Sequence, residues 1–386
     1  MISFLLTFVA VYSGMHAVVV LRLWPLLPQA RPFLVCLLVF LLIMVLSPIL
    51  AHWLDASGYR FPASNLAWMA FTWMGVVFVA FCLGLVFYCL EGAGLIVRSF
   101  FSATGGVFLS PLAKAWLLAV ITVALVGIGF RQAQDIRINE VSLASSKLAG
   151  LKRGTTLVQI SDLHLGLLAG EQRVEKISKL LHDLQPDILV CTGDFIDSNP
   201  QGLTRLIQKL RELPASWGKF AVTGNHETYV GLDAAGDFLG RAGFVMLDGR
   251  IWRKNGIALA GVRYSPGQDC NGESAVLSRL KDQDFNVLLK HSPRVCPGSE
   301  DGFDLQLSGH THKGQIFPFN LVTRLVYPYL AGMYSLANGS AIYVNQGTGT
   351  WGPQMRLLTK QEITIFRIVG TAKSRFSVIS NKRLNE

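Results

Sequence analysis

A helical membrane segment of four spans, followed by an α/β domain of two sheets flanked by helices, is the architecture this sequence predicts. Three observations lead there. Four long apolar stretches crowd the first third of the 386 residues. Charge is partitioned, with eight Lys/Arg and four Asp/Glu in residues 1–150 against 27 and 21 in 151–386. The second part alternates short β-rich runs with amphipathic stretches, the pattern of a layered α/β domain.

The apolar stretches cover about 2–23, 32–54, 66–90 and 115–130. A spanning helix needs roughly 20 apolar residues, so each is long enough or nearly so. Breakers and charges collect between them: Pro25, Pro28 and Arg31; Asp55, Gly58, Arg60 and Pro62; Glu91, Arg98, Gly105, Gly106, Pro111 and Lys114. The first stretch lacks a basic leader and a small-residue cleavage site, which predicts a retained helix. His16 and His52 are expected to be packing or interfacial residues. Basic residues balance across the loops, with Arg22, Arg31, Arg98 and Lys114 on one side and Arg60, Arg131, Arg137 and Lys147 on the other. The positive-inside rule therefore leaves the side of the large domain undecided.

Residues 1–131 thus form the expected membrane domain and 132–154 a linker, with a leading strand at Ile136, Ile138 and Val141. The α/β domain occupies 155–370, and 371–386 reads as a basic flexible tail carrying Lys373, Arg375, Lys382 and Arg383. Strands are predicted at 156–160, 188–192, 220–223, 257–262, 287–290, 305–308, 341–345 and 363–368, with helices at 171–184 and 203–213. Net charge is +10, which favours anionic neighbours such as lipid headgroups or phosphorylated molecules. No arginine-rich arm or aromatic-basic interleaving accompanies it, so nucleic acid is not an expected partner. Cys270 and Cys296 can pair only if the domain is exported.

Five of the eight histidines fall in short fragments that stand in order: Asp162-Leu163-His164, Gly193-Asp194-Phe195-Ile196-Asp197, Gly224-Asn225-His226-Glu227, His291, and Gly309-His310-Thr311-His312. Each follows a strand-like run, and strand C-termini are where ligand sites gather in α/β sheets. Gly193, Gly224 and Gly309 stand beside the polar residues, where a missing side chain permits close approach. The donors are carboxylate, amide oxygen and imidazole without thiolate, a set suited to hard-to-borderline divalent metals. A carboxylate can bridge two such ions roughly 3.5–4 Å apart, the spacing used to clamp a phosphate.

Taken together, these fragments resemble the calcineurin-like metallophosphoesterase superfamily over about residues 155–370. The resemblance implies one ion held by Asp162, His164, Asp194 and His312, and a second by Asp194, Asn225, His291 and His310. His226, oriented by Asp197, would be the general acid or phosphate contact. It implies two divalent ions, manganese with iron or zinc as the alternatives. Two departures stand out: Ser198 occupies the place of the arginine that clamps phosphate in the protein phosphatases, and Lys313 follows Gly-His-Thr-His where relatives have glycine. The later segments, Tyr329 to Tyr334 and Tyr343 to Pro353 with Arg356, resemble the membrane-anchored bacterial members and their eukaryotic transmembrane counterparts.

That subgroup implies a multi-pass protein of the bacterial inner membrane acting on a phosphodiester or pyrophosphate bond. It points to a lipid-linked substrate such as UDP-2,3-diacylglucosamine, a lipid A precursor. Lys313 and Arg356 are the expected substrate contacts, and the apolar run 316–327 would face acyl chains, the bilayer or the core. The alternatives are a tethered phosphoesterase for a soluble substrate and a non-catalytic metal-binding sensor.

Overall fold

The computed structural model describes residues 2–101, 109–150, 153–372 and 376–384. Gly105, Gly106, Lys373 and Arg375 lie outside them. The chain divides into two compact units, 1–131 with Gly352–Met355, and 132–351 with 356–386.

Among the described residues of the first unit, four helices are long and apolar enough to cross a membrane. They are α1 (Ile2–Leu23), α2 (Arg31–Ala56), α3 (Arg60–Phe101) and α4 (Pro111–Gln132). Pro32 and Pro111 stand in first turns, where a missing N–H costs nothing. Ala63, Ala67 and Ala70 of α3 are fully buried at helical spacing, a stripe of small residues that permits close backbone approach, and α3 packs on both α2 and α1. At 42 residues α3 runs about 63 Å at 1.5 Å per residue, well beyond the expected 66–90. The glycines after Glu91 do not break it, and Glu91 sits inside the helix. Its carboxylate takes both terminal nitrogens of Arg22, at 3.0 and 2.9 Å, and Lys114 at 2.8 Å. Charges expected in a loop thus tie α1, α3 and α4 together. His16 accepts a 2.8 Å hydrogen bond from Trp73, in keeping with a packing role.

Two sheets build the second unit. The larger combines β1 (Ile136–Ser145), β2 (Thr155–Ile160), β3 (Ile188–Cys191), β4 (Gly218–Ala221), β5 (Phe244–Met246), β12 (Gln361–Gly370) and β13 (Ser377–Arg383), in the order β13-β1-β12-β2-β3-β4-β5. The smaller orders β10 (Gly332–Ser335), β11 (Ala341–Val344), β9 (Leu305–Ser308), β8 (Phe285–Leu289), β7 (Ile257–Gly261) and β6 (Ile251–Lys254). Strands β2 to β5 run parallel, as do β7, β8, β9 and β11. Both faces of the central strands are covered, which explains their unbroken apolar runs. Leu157, Ile188 and Val190 face the sandwich with Val287, Leu305 and Phe366. Val158, Leu189 and Cys191 pack instead beneath α5 (Glu171–Leu184) and α8 (Leu232–Arg241) through Val174, Ile177, Leu181 and Phe238.

One expectation is extended and two need correcting. The leading strand expected at Ile136, Ile138 and Val141 is present within 132–154 and runs longer, as the ten-residue β1, which lies inside the larger sheet between β12 and β13. The basic tail is not flexible over Ser377–Arg383; it forms β13, satisfying the outer edge of β1 in antiparallel pairing. The expected 203–213 helix starts earlier, as a 3₁₀ turn at Pro200–Leu206, and continues as α6 (Ile207–Arg211).

Cys270, the first residue of α9 (Cys270–Leu277), is disulfide-bonded to Cys296 with their Cα atoms 5.6 Å apart. Closing a loop of 26 residues removes denatured-state entropy worth about 3.5 kcal/mol. Reduction, or Cys296→Ser, is therefore expected to lower the unfolding midpoint of the detergent-solubilised protein by several degrees. Coincident melting of oxidised and reduced protein would show that the two thiols are not joined.

Candidate active site

Five strand ends deliver the polar fragments to one edge of the sandwich. Asp162 and His164 follow β2, Asp194 and Asp197 follow β3, and Asn225 and His226 open α7 (Asn225–Val230) after β4. From the smaller sheet, His291 follows β8, and His310 and His312 follow β9. All of these expected site residues come together. The chain must turn sharply to present them: Asp162, His164, Asp194, His310 and His312 all adopt positive φ, between 47° and 75°. A left-handed non-glycine residue costs on the order of 1–3 kcal/mol, and such residues cluster at functional sites.

Glycines make the approach possible. A Cβ on Gly309 would stand 2.0 Å from Ser161 Oγ and 2.2 Å from Asp162 Oδ2. On Gly193 it would meet the His291 ring at 2.5 Å. Neither position can carry a side chain without displacing a functional group.

The imidazoles face one another through their inner nitrogens. His164 Nε2 lies 2.9 Å from His312 Nε2, and His310 Nδ1 lies 3.0 Å from His291 Nε2. The outer nitrogen of His312 faces the Arg356 guanidinium at 3.2 Å, and those of the other three are also engaged. His164 Nδ1 meets Asp197 at 2.6 Å, His291 Nδ1 meets the Thr192 carbonyl at 2.7 Å, and His310 Nε2 meets the Tyr327 hydroxyl at 2.6 Å. Holding the outer nitrogen fixes the tautomer and aims the inner lone pair, which is how metal-binding histidines are supported. Asp162, His164 and His312 offer donor atoms within 4.8 Å of one another, as do Asp194, His291 and His310. Asn225 Oδ1 lies 3.1 Å from His291 Nε2, beside the second group. The donor set fits divalent metal ions.

Electrostatics split the ligand imidazoles: against the pull of burial, Asp194 raises His291 to about 9, so an ion bound there would displace its proton. Burial and the neighbouring His291 push His310 down to about 3, and burial pushes His312 down to about 4. Both rings therefore stay neutral, the form that binds metal. Asp162 and Asp194 are fully buried, yet the surrounding imidazoles hold both carboxyls below the ordinary range. His226 differs. Burial alone would lower it, but Asp197 and Asp194 reverse the effect and raise it to about 10. Its Nδ1 lies 2.8 Å from Asp197, leaving Nε2 directed toward Asp194 at 3.9 Å. Asp197 thus holds two histidines at once.

Sequence reasoning missed the supports and the rim. Glu227 is fully buried and accepts the backbone N–H groups of Asp194, Phe195, Ile196 and Gly224 at 2.7–3.2 Å, fixing the turn that carries Asp194. Its place next to His226 in the motif was the available signal. Tyr229 and Trp351 stand edge-on to His226, and Gln315 pins Trp351 through paired amide bonds of 2.7 and 2.9 Å. Tyr264 stands edge-on to His291. The placement of Arg356 corrects its expected role as a substrate contact. It is fully buried, and its guanidinium donates to the carbonyls of Gln346, Gly349 and Lys360 and to His312 Nδ1 at 3.2 Å, so it braces a ligand histidine from behind. Lys313 is half-buried in the left-handed turn after His312. Ser198 is buried against the Asp197 turn.

A family model described as calcineurin-like phosphoesterase matches residues 155–314. A metallophosphoesterase of Aquifex aeolicus is 39% identical over 244 residues, which cover 61% of this chain and 92% of that protein. The metallophosphoesterase YkuE of Bacillus subtilis is 35% identical, covering 61% and 86%. A transmembrane protein with metallophosphoesterase domain from Danio rerio is 29% identical over 320 residues, 78% of this chain and 72% of that one.

Replacing Glu227 by alanine leaves four buried N–H groups without an acceptor, each worth about 1–3 kcal/mol. Glu227→Ala is expected to lose metal binding together with stability, measured as bound metal and as unfolding midpoint. Normal metal content in a stable Glu227→Ala protein would show that the Asp194 turn does not depend on it.

Proposed function

This chain belongs to the calcineurin-like metallophosphoesterases and is a metal-dependent phosphoester hydrolase; on that premise we propose that it uses two divalent ions to cut a phosphodiester or pyrophosphate bond in a lipid-linked substrate. The carrying observation is the convergence of four imidazoles and two carboxylates at one edge of the sandwich, next to an exposed apolar strip. Asp162, His164, Asp194 and His312 would hold one ion; Asp194, Asn225, His291 and His310 the other, with Asp194 shared. Manganese is the proposed metal, with iron or zinc as alternatives. When bound, such ions supply Lewis acidity, neutralising phosphoryl oxygens and acidifying water.

The chain's own groups do the rest. Asp197 orients His226 and keeps it protonated, so that Nε2 can donate to the leaving oxygen. Trp351 and Tyr229 flank that imidazole and limit the directions from which a leaving group can reach it.

Support for a lipid comes from the segment between His312 and Tyr327. Phe317, Phe319, Leu321, Val322, Leu325 and Val326 are all exposed, several of them on α10 (Phe319–Val326), whose end places Tyr327 on His310. Contiguous exposed apolar surface of this kind marks an interaction site. In a protein with four spanning helices, lipid is the apolar partner at hand. The Cys270–Cys296 disulfide supports placing the catalytic unit on the oxidising face of a bacterial inner membrane. That favours a lipid phosphodiester or pyrophosphate presented there over UDP-2,3-diacylglucosamine, which is made in the cytoplasm.

Two measurements test this reading. With manganese-loaded protein and bis-p-nitrophenyl phosphate, His226→Ala should lower kcat by roughly 10²–10⁴-fold with metal content retained. Asp194→Asn should lose both metal and turnover, and an active Asp194→Asn enzyme would defeat the two-metal assignment. Against a dispersed lipid pyrophosphate, Leu321→Ser with Leu325→Ser should cost far more turnover than against the soluble diester. Equal losses on both would favour a soluble substrate.

A further inference from the structure

The cleft that opens beside the metal ligands contains a cation that the hydrolytic chemistry above does not use. Its walls are the turn after β7, the segment after β8 and the end of α10, contributing Tyr264, Arg294 and Tyr327 around His291. The Arg294 guanidinium carbon lies 4.9 Å from the Tyr327 ring centroid, a cation–π stacking distance. Tyr327 in turn reaches His310 at 2.6 Å, so one aromatic ring separates the guanidinium from a ligand histidine. Tyr264 lines the same cleft, its ring 5.8 Å from His291 and 6.3 Å from His310.

Other charges in this wall are already occupied. Asp269 caps α9 by accepting the Gly272 N–H at 2.9 Å. Arg263 faces Asp248 at 3.8 Å, and Lys290 is bonded to Glu273. Arg294 is half-buried, and among the described residues no carboxylate lies within ion-pairing distance of it. A half-desolvated guanidinium held by an aromatic face, without an anion, is an incomplete site. Its planar donor fork matches two oxygens of a phosphate or carboxylate.

We propose that Arg294, stacked on Tyr327 and faced by Tyr264, binds a second anionic group of the substrate, adjacent to the phosphoryl group being cut. The inference rests on the hydrolase reading above and narrows it: the preferred substrate carries two neighbouring negative charges, as a pyrophosphate or a diester with an attached phosphate does. A diester with a single charge would occupy the metals and leave Arg294 unanswered. The arrangement also supplies a phosphate-directed arginine by a route other than the position held here by Ser198.

The test compares kcat/KM of manganese-loaded full-length protein on a sugar-nucleotide pyrophosphate, UDP-glucose, and on bis-p-nitrophenyl phosphate. Arg294→Ala and Arg294→Lys are assayed beside wild type, with bound metal measured in each. The expected result is a loss in Arg294→Ala at least tenfold greater on the pyrophosphate than on the singly charged diester, with Arg294→Lys between. Equal losses on both substrates, or none on either, would overturn the assignment while leaving the hydrolase reading intact. So would a wild-type enzyme that cleaves the diester and ignores the pyrophosphate. Wild-type protein that binds manganese and cleaves neither of these nor the dispersed lipid pyrophosphate would instead defeat the hydrolase reading, and the role of Arg294 with it.

Discussion

Converging ring nitrogens are the constraint around which this catalytic unit is built. His164 and His312, and likewise His291 and His310, bring ring nitrogens to 2.9–3.0 Å, close enough to share a proton or to hold a divalent ion. Keeping them there takes an outer shell that holds imidazoles from behind: Asp197, the Thr192 carbonyl and Tyr327. It also takes a backbone that accepts left-handed conformations at Asp162, His164, Asp194, His310 and His312. At about 1–3 kcal/mol each, that strain is comparable to the net stability of an ordinary domain. Only a large, well-packed scaffold can offset it.

The two sheets provide that scaffold, and their parallel pairing explains why the site lies where it does. Parallel strands end at a common edge, so β2, β3, β4, β8 and β9 deliver five fragments to one place despite sequence separations of up to 150 residues. Leu157, Val190, Val287 and Leu307 are completely buried, and their strands cannot slide without moving every ligand. Glu227 extends the same rigidity past the end of β3 by taking four N–H groups of the flanking turns. Precision here is inherited from the core.

Much of this was legible in the sequence, for a physical reason. Metal chemistry allows few residue types, and tight turns beside ligands demand glycine, so Asp162 to His312 stood out as fragments at strand ends. Burial on both faces made β2, β3 and β9 plain as apolar runs. What escaped was whatever depends on partners distant in the chain. Strand β13 looks like a polar tail because only its pairing with β1 orders it. Arg356 looks like a phosphate contact because arginine is common in that role, yet its guanidinium is spent on backbone carbonyls and on His312 Nδ1. Tyr327, Tyr264 and Trp351 carry no local signature; their relation to the histidines exists only after the sheets assemble.

Anchoring alters what the rest of the site has to accomplish. A lipid-linked substrate and a membrane-tethered enzyme share a thin layer, which raises their effective concentration without any new contact. Affinity for the apolar part of such a substrate then adds little to turnover, since binding that is equal in ground and transition states does not raise kcat. Under that condition an open strip such as Phe317 to Val326 suffices where a soluble enzyme would need a deep apolar pocket. On the lipid-linked reading proposed above, discrimination would fall to the polar end, where the cleft is lined by Arg294, Tyr264 and Tyr327. An exposed apolar strip beside a small charged cleft is the form such a hydrolase would take, with its substrate delivered by the bilayer and chosen by its phosphates.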